Sequence, residues 1–289
     1  MILQESYRLA NGVQIPKLGL GTWFIEDDKA AQAVRDAVAA GHRLIDTAQA
    51  YGNERGVGEG VRTCGLPREQ LFVTSKVAAE AKSYEAAAQS IDETLAKMGL
   101  EYLDMMIIHS PQPWAEFRVE NRYFAENKEV WRALEDAYEA GKLRAIGVSN
   151  FLQDDLENLL EGCRIKPMVN QILLHITNTD KALPEYCRAQ GILVEAYSPI
   201  AHGEALKNPA ITRMAEKYGV TPARLCIRYV LQLGTVALPK TANPAHIRDN
   251  GAVDFQISPE DMQTLEAMEK IESYGEFDVF PVFSGKPLR

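Results

Sequence analysis

The chain has 289 residues, 46% apolar and 25% charged, the balance of a soluble globular protein with length for a sizeable core. Its 31 Lys and Arg against 40 Asp and Glu leave a net charge of −9, a field that repels nucleic acid and anionic membrane surfaces, so neither is an expected partner. No run of about 18 apolar residues is present to span a membrane.

In chain order, Tyr7–Ala10 and Val13–Ile15 flank Asn11-Gly12, a two-residue hairpin signal. Eight short apolar runs follow, at 17–22, 43–47, 71–76, 104–109, 144–149, 167–171, 192–198 and 235–239. Segments of helical spacing lie between them, such as the stripe Ala88, Ile91, Leu95, Met98 and the stripe Leu225, Cys226, Tyr229, Val230, Leu233. Gly41, Gly99, Gly141, Gly191 and Gly234 each stand before the next run as helix stops. The runs are continuously apolar rather than alternating, as in Met105-Met106-Ile107-Ile108, which suits parallel strands covered on both faces.

Eight such units in about 250 residues predict an α/β fold, a (β/α)8 TIM barrel with the N-terminal hairpin plugging the bottom. A doubly wound sheet needs a glycine-rich first turn. Gly19-Leu20-Gly21 has Phe24 where the third glycine would fall, and Gly56-Val57-Gly58-Glu59-Gly60 lies in a helical stretch with the wrong spacing. With no linker, repeat or low-complexity tract, residues 1–289 are expected to form one domain. The opening residues lack the basic-then-apolar pattern of a secretory signal, and Cys64, Cys163, Cys187 and Cys226 include no Cys-x-x-Cys pair. Neither zinc nor a disulfide scaffold is expected, and the expected address is a reducing cytoplasm.

In a parallel barrel the chemistry sits at the C-terminal ends of the strands. The polar residues there are Asp46, with Tyr51 in the loop beyond, then Lys76, His109, Ser149-Asn150, Asn170-Gln171, Tyr197-Ser198-Pro199 and Pro239-Lys240-Thr241. Singly, an Asp would be a helix cap, a Lys solvated surface and a His a satisfied core residue. A carboxylate, a phenol, an ammonium and an imidazole from three successive strands converge on one cleft. A phenol has an ordinary pKa of about 10, too high for an efficient acid at neutral pH. A lysine ammonium beside it lowers that value, and an aspartate keeps the lysine charged and aimed. A histidine can orient a substrate carbonyl. The set suits protonation of an oxygen while a hydride attacks carbon. No Ser-His-Asp signature, Cys-His pairing or metal-ligand cluster supplies another nucleophile, so a nicotinamide fills the gap. Ser149, Asn150 and Gln171 would hold its carboxamide, and Tyr197 would stack on its ring.

The strings Asp46-Thr-Ala-Gln-Ala-Tyr51-Gly-Asn-Glu54, Thr74-Ser-Lys76, Ile107-Ile-His109, Gly147-Val-Ser-Asn-Phe151, Asn170-Gln171, Ala196-Tyr-Ser-Pro199 and Leu238-Pro-Lys240-Thr241 resemble those of the aldo-keto reductases, in order, from about Gly12 to Asn250. Among subfamilies the chain most resembles the bacterial 2,5-diketo-D-gluconate reductase-like enzymes. The resemblance implies an NADPH-dependent reductase of small aldehydes, diketones or keto-sugars, with Tyr51 as proton donor, Lys76 and Asp46 tuning it and His109 orienting the carbonyl. It also implies cofactor contacts from Gly21, Thr22, Trp23, Asp46, Ser149, Asn150, Gln171 and Tyr197, from Ser198, Pro199 and Ile200 on the pyrophosphate side, from Pro239, Lys240 and Thr241 at the 2′-phosphate, and from Asn250 near the adenine.

Two departures bear on specificity. Where the family often has an arginine six residues after the lysine, this chain has His246, which stacks but brings no fixed charge, so NADPH preference is expected to weaken and NADH is an alternative hydride source. Arg248, two residues on, is expected to be turned away by helical geometry. Where many relatives read His-Trp-Pro, this chain reads His109-Ser110-Pro111, with Trp114 three residues later. Trp114 joins Trp23, Tyr51 and His109 as a substrate-binding candidate. The loop carrying Phe117, Tyr123 and Phe124 fits either a pocket wall or packed cover. The tail with Tyr274, Phe277, Phe280 and Phe283 fits either a lid over the mouth or packing on the flank. The rival readings are a nucleotide-binding sensor barrel with little turnover and a Schiff-base aldolase using Lys76. The expected partner is a small-molecule carbonyl substrate, the expected oligomeric state a monomer, and no metal is expected.

Overall fold

The computed structural model describes residues 1–288. The eight apolar runs become β3 (Gly19–Gly21), β4 (Leu44–Asp46), β5 (Phe72–Val77), β6 (Met105–Ile108), β7 (Ile146–Ser149), β8 (Val169–Leu173), β9 (Leu193–Tyr197) and β10 (Val236–Leu238), after a hairpin of β1 (Ser6–Arg8) and β2 (Gln14–Pro16). The barrel strands pair in parallel in sequence order. The sheet closes on itself through parallel bridges Leu18↔Ala237 and Gly21↔Lys240, with the Gly21 amide donating to Pro239 O at 3.0 Å.

Around it run α1 (Asp27–Ala39), α2 (Glu54–Thr63), α3 (Tyr84–Met98), α4 (Phe124–Glu139), α5 (Gln153–Leu160), α6 (Ala182–Ala189), α7 (Pro209–Lys217), α8 (Pro222–Gln232) and α9 (Pro244–Gly251), followed by α10 (Pro259–Glu266) and the short α11 (Pro281–Ser284). Helix α3 shows why they form. Ser83 Oγ accepts from the Ala86 amide at its start, Ile91, Leu95 and Met98 turn inward, and Gly99 ends it at φ 64°. Helix α2 is unusual in carrying Gly56, Gly58 and Gly60. A Cβ on Gly56 would lie 1.9 Å from Asp27 O and one on Gly58 2.2 Å from Met98 O, so these glycines let α2 wedge between its neighbours. Among the described residues no helix is long and apolar enough to cross a membrane.

The hairpin seals the N-terminal end of the barrel. Ile15 is fully buried there, worth roughly 2 kcal/mol, and Asn11 Nδ2 donates to Arg144 O just before β7 at 2.8 Å. Its connection differs from the two-residue turn expected at Asn11-Gly12. Leu9 N donates to Val13 O and Gly12 N to Leu9 O, which makes a three-residue loop, Ala10-Asn11-Gly12, with Gly12 at φ 91°. A turn followed by a left-handed glycine keeps the twist of the strands as well as the shorter turn does.

Candidate active site

At the C-terminal end of the barrel the strand ends surround a cavity of about 240 Å³. Thirteen of the expected residues line it: Gly21, Thr22, Trp23, Asp46, Tyr51, His109, Trp114, Ser149, Asn150, Gln171, Tyr197, Ser198 and Lys240. Lys76 lies beneath, fully buried on β5. Pro199, Ile200, Pro239, Thr241, His246 and Asn250 do not reach the cavity. They lie on segments leading away from it, with His246 exposed on α9 and Asn250 buried. Arg248 is exposed on the same helix.

Lys76 Nζ is the hub. It donates to Asp46 Oδ2 at 2.6 Å, to Thr47 O at 2.8 Å and to Tyr51 Oη at 3.3 Å. Burial by itself would strip the lysine of its proton, but Asp46, followed by Tyr51, more than offsets this and its pKa rises. For Tyr51 the direction is opposite to the sequence expectation. Burial pushes the phenol above its ordinary value and outweighs the lowering by Lys76, so it stays protonated. His109 is driven well below the usual histidine range, first by burial and then by the Lys76 charge, so it is neutral. Its Nδ1 is buried without a partner among the described residues. An unpaired acceptor is less costly than an unpaired N–H, which favours the tautomer with the proton on Nε2.

The amides on the opposite wall have fixed polarity. Asn150, at φ 60°, donates through Nδ2 to His109 O and Ser149 Oγ, and its Oδ1 accepts from Tyr197 Oη at 2.8 Å. Ser149 Oγ donates to Gln171 O at 2.8 Å. Gln171 Nε2 donates both to Asp46 Oδ1 and to Glu195 Oε2, each at 2.9 Å. This wall therefore meets a ligand mainly with acceptors, a fit for the N–H groups of a primary carboxamide. Lys240 stands exposed at the rim and, among the described residues, has no carboxylate beside it, a fit for an anionic group. The residues present suit a nicotinamide nucleotide.

The two open questions about the mouth are decided by packing. Trp114 stands edge-on to His109 with ring centres 5.1 Å apart and lines the cavity, while Phe117 is buried behind it. Tyr123 and Phe124 lie away from the cavity, at the start of α4. The tail crosses the mouth. Tyr274 Oη meets His175 Nε2 at 2.9 Å, Phe280 packs 5.0 Å from Trp23, and Leu288 N donates to Trp114 O at 2.8 Å. Phe280, Pro281, Val282 and Leu288 line the cavity, as does His202, whose ring lies 5.2 Å from Trp23 and whose pKa is brought down to about 4 by burial and then by Lys240. Sequence reasoning missed His202 and Glu195. Glu195 alone carried a signal, a carboxylate inside the apolar run Leu193-Val194-Glu195-Ala196.

The model of the "Aldo/keto reductase family" matches residues 17–270. The chain is 42% identical over 275 residues to the glyoxal reductase of Bacillus subtilis (strain 168), covering 94% of this chain and 96% of that one. It is 40% identical to the 9,11-endoperoxide prostaglandin H2 reductase of Trypanosoma cruzi (strain CL Brener), covering 92% of each. Among solved structures, an aldo/keto reductase from Brucella melitensis superposes with a TM-score of 0.86 at 34% identity, over 92% of this chain and 98% of that one. The closed barrel, its hairpin plug and the match along most of its length lead to one assignment: the chain belongs to the aldo/keto reductase family, oxidoreductases that act on carbonyl groups.

Proposed function

We propose that the protein reduces small aldehydes, diketones or keto-sugars to alcohols with NADPH, that NADH serves as a second hydride source, and that Tyr51 delivers the proton. The observation that carries this reading is the half-buried Tyr51 joined to the buried Lys76–Asp46 pair beside neutral His109. A nicotinamide nucleotide held by these residues would supply the hydride. Nε2–H of His109 donates to the substrate oxygen and aims it, and Tyr51 Oη passes its proton to that oxygen as negative charge builds there. Lys76 stabilises the phenolate left behind, and Asp46 holds the ammonium in place. Preorganised donors in a dry site act more strongly than in water, which is why Lys76 has no exposed atom.

Gln171, Ser149 and Asn150 hold the carboxamide, Tyr197 lies against the ring, and Ser198 with Pro199 and Ile200 covers the pyrophosphate. Lys240 and Thr241, next to Pro239, take the 2′-phosphate, and His246 and Asn250 face the adenosine. Gly21, Thr22 and Trp23 close the nicotinamide side, and Trp23 and Trp114 wall the substrate. The glyoxal reductase relative supports the small-aldehyde class. The likeness of motifs to 2,5-diketo-D-gluconate reductase-like enzymes supports keto-sugars. The four cysteines are unpaired and suit a reducing cytoplasm, and the protein acts as a monomer.

The test is loss of reduced-nicotinamide absorbance with NADPH and NADH in parallel against aldehydes, diketones and keto-sugars. Turnover with either nucleotide is the expected result. Nucleotide binding without turnover across the panel would turn the reading into a sensor barrel. A borohydride-trapped lysine adduct formed without cofactor would turn it into an aldolase.

A further inference from the structure

Glu195 sits inside the barrel on β9, level with Gln171 on β8, and is 1% exposed. Barrel interiors are filled mainly by branched apolar side chains, so a carboxyl here is an expensive choice. Its surroundings do little to offset that cost. Oε2 accepts one hydrogen bond, from Gln171 Nε2, and Oε1 is buried with no partner among the described residues. The layer holds one ammonium, Lys76, for two carboxyls, and Lys76 is already paired with Asp46. Burial, and next the charge of Asp46, push the Glu195 carboxyl up to about 7. A proton on Oε1 leaves Oε2 free to accept, so the bond to Gln171 survives in both forms.

The single bond that Glu195 makes has a geometric consequence. Gln171 lies across the barrel from Asp46, four strands away around the closed sheet, and donates one N–H to it. One such bond would leave the amide free to turn about the donor–acceptor line. The second N–H, held by Glu195 from the adjoining strand, fixes the plane of the amide. Both donors are then spent, and Oε1, which makes no hydrogen bond with the described residues, is the one polar atom Gln171 can offer to the cavity it lines.

We propose that Glu195 is a positioning residue: with Asp46 it clamps the Gln171 amide at two points, so that Gln171 Oε1 is presented as a fixed acceptor for the primary carboxamide of the nucleotide. This rests on the nicotinamide reading above. It assigns Glu195 no contact with substrate or cofactor. It accounts for a carboxyl where an apolar side chain would be more stable, since no apolar residue can hold the second N–H.

The test compares wild type, Glu195→Val and Glu195→Gln in binding two nucleotides, followed by quenching of tryptophan fluorescence from Trp23 and Trp114 at the cavity wall. The nucleotides are NADP⁺ and 2′-phospho-ADP-ribose, which lacks the nicotinamide. Glu195→Val removes the second anchor and is expected to weaken NADP⁺ at least fivefold while leaving 2′-phospho-ADP-ribose within twofold, without lowering the melting temperature. Glu195→Gln keeps an acceptor for the Gln171 N–H and is expected to bind both nucleotides within twofold of wild type. Equal weakening of both nucleotides in Glu195→Val, or no weakening of either, would overturn the proposal and leave the cofactor reading standing. A wild-type protein that binds neither nucleotide would overturn both.

Discussion

The ammonium of Lys76 and the carboxylate of Asp46 meet at 2.6 Å inside the barrel, and Lys76 has no exposed atom. A buried ion pair is a weak source of stability but a sensitive one, because removing one partner strands the other. Lys76→Met is therefore expected to lose both turnover and stability, the latter by roughly 3–5 kcal/mol. The double variant Asp46→Asn/Lys76→Met is expected to regain most of the stability and none of the turnover. Denaturant unfolding beside the nicotinamide assay separates the two. A Lys76→Met protein with wild-type turnover would remove the lysine from the mechanism.

In the proposed mechanism Tyr51 supplies the proton, and Phe at this position keeps the ring against Trp23, whose centre lies 6.3 Å away. Tyr51→Phe is expected to bind NADPH as wild type does and to turn over roughly 10²–10⁴-fold more slowly, the scale of general acid catalysis. Near-normal turnover would show that the acid is another group.

The tail closes the mouth through Phe280 on Trp23 and Leu288 on Trp114. An aromatic contact of this kind is worth about 1 kcal/mol, roughly fivefold in affinity. Phe280→Ala is expected to raise KM for aromatic aldehydes by about that factor while leaving kcat and the NADPH dissociation constant near their wild-type values. Steady-state kinetics with benzaldehyde-type and two-carbon substrates checks this. An equal change for both would mean that the tail sets no boundary of the substrate site.

His246 is exposed on α9 and brings no fixed charge, whereas an arginine there would add charge-assisted hydrogen bonds to a phosphate. His246→Arg is expected to raise the NADPH-to-NADH ratio of kcat/KM by about tenfold, the equivalent of 1.4 kcal/mol. A ratio that does not move would take position 246 out of cofactor selection.

Glu195 links the site to stability. Its pKa is raised from an ordinary 4.5 to about 7, so between these values the folded protein holds a proton that the unfolded chain has released. The sign is therefore a loss of stability as pH rises from about 4.5 to 7, on the order of 2–3 kcal/mol from this group. Glu195→Gln is expected to unfold at higher denaturant concentration than wild type at pH 8 and at a similar concentration at pH 4. Parallel unfolding curves at the two pH values check it, and an unchanged difference between them would place the Glu195 pKa near its ordinary value.

Much of the barrel is legible in the sequence because its signals are local. Continuous apolar runs, stop glycines and the 3.6-residue stripes depend on near neighbours, and no strand end differs from its expected position by more than two residues. The strand-end rule then brings Asp46, Tyr51, Lys76 and His109 together, since a parallel closed sheet sends every such residue to one face. What the sequence could not decide depends on contacts between distant segments. Whether Phe280 covered the mouth or the flank depended on the tail docking through Tyr274 on His175, 99 residues away. The direction of the Tyr51 pKa depended on how completely the barrel excludes water, which outweighs the Lys76 charge that spacing alone suggested. Glu195 gained its partner only when β8 and β9 came into register, because a side chain's inward or outward direction and its opposite number are set by closure of the sheet, not by the run of residues around it.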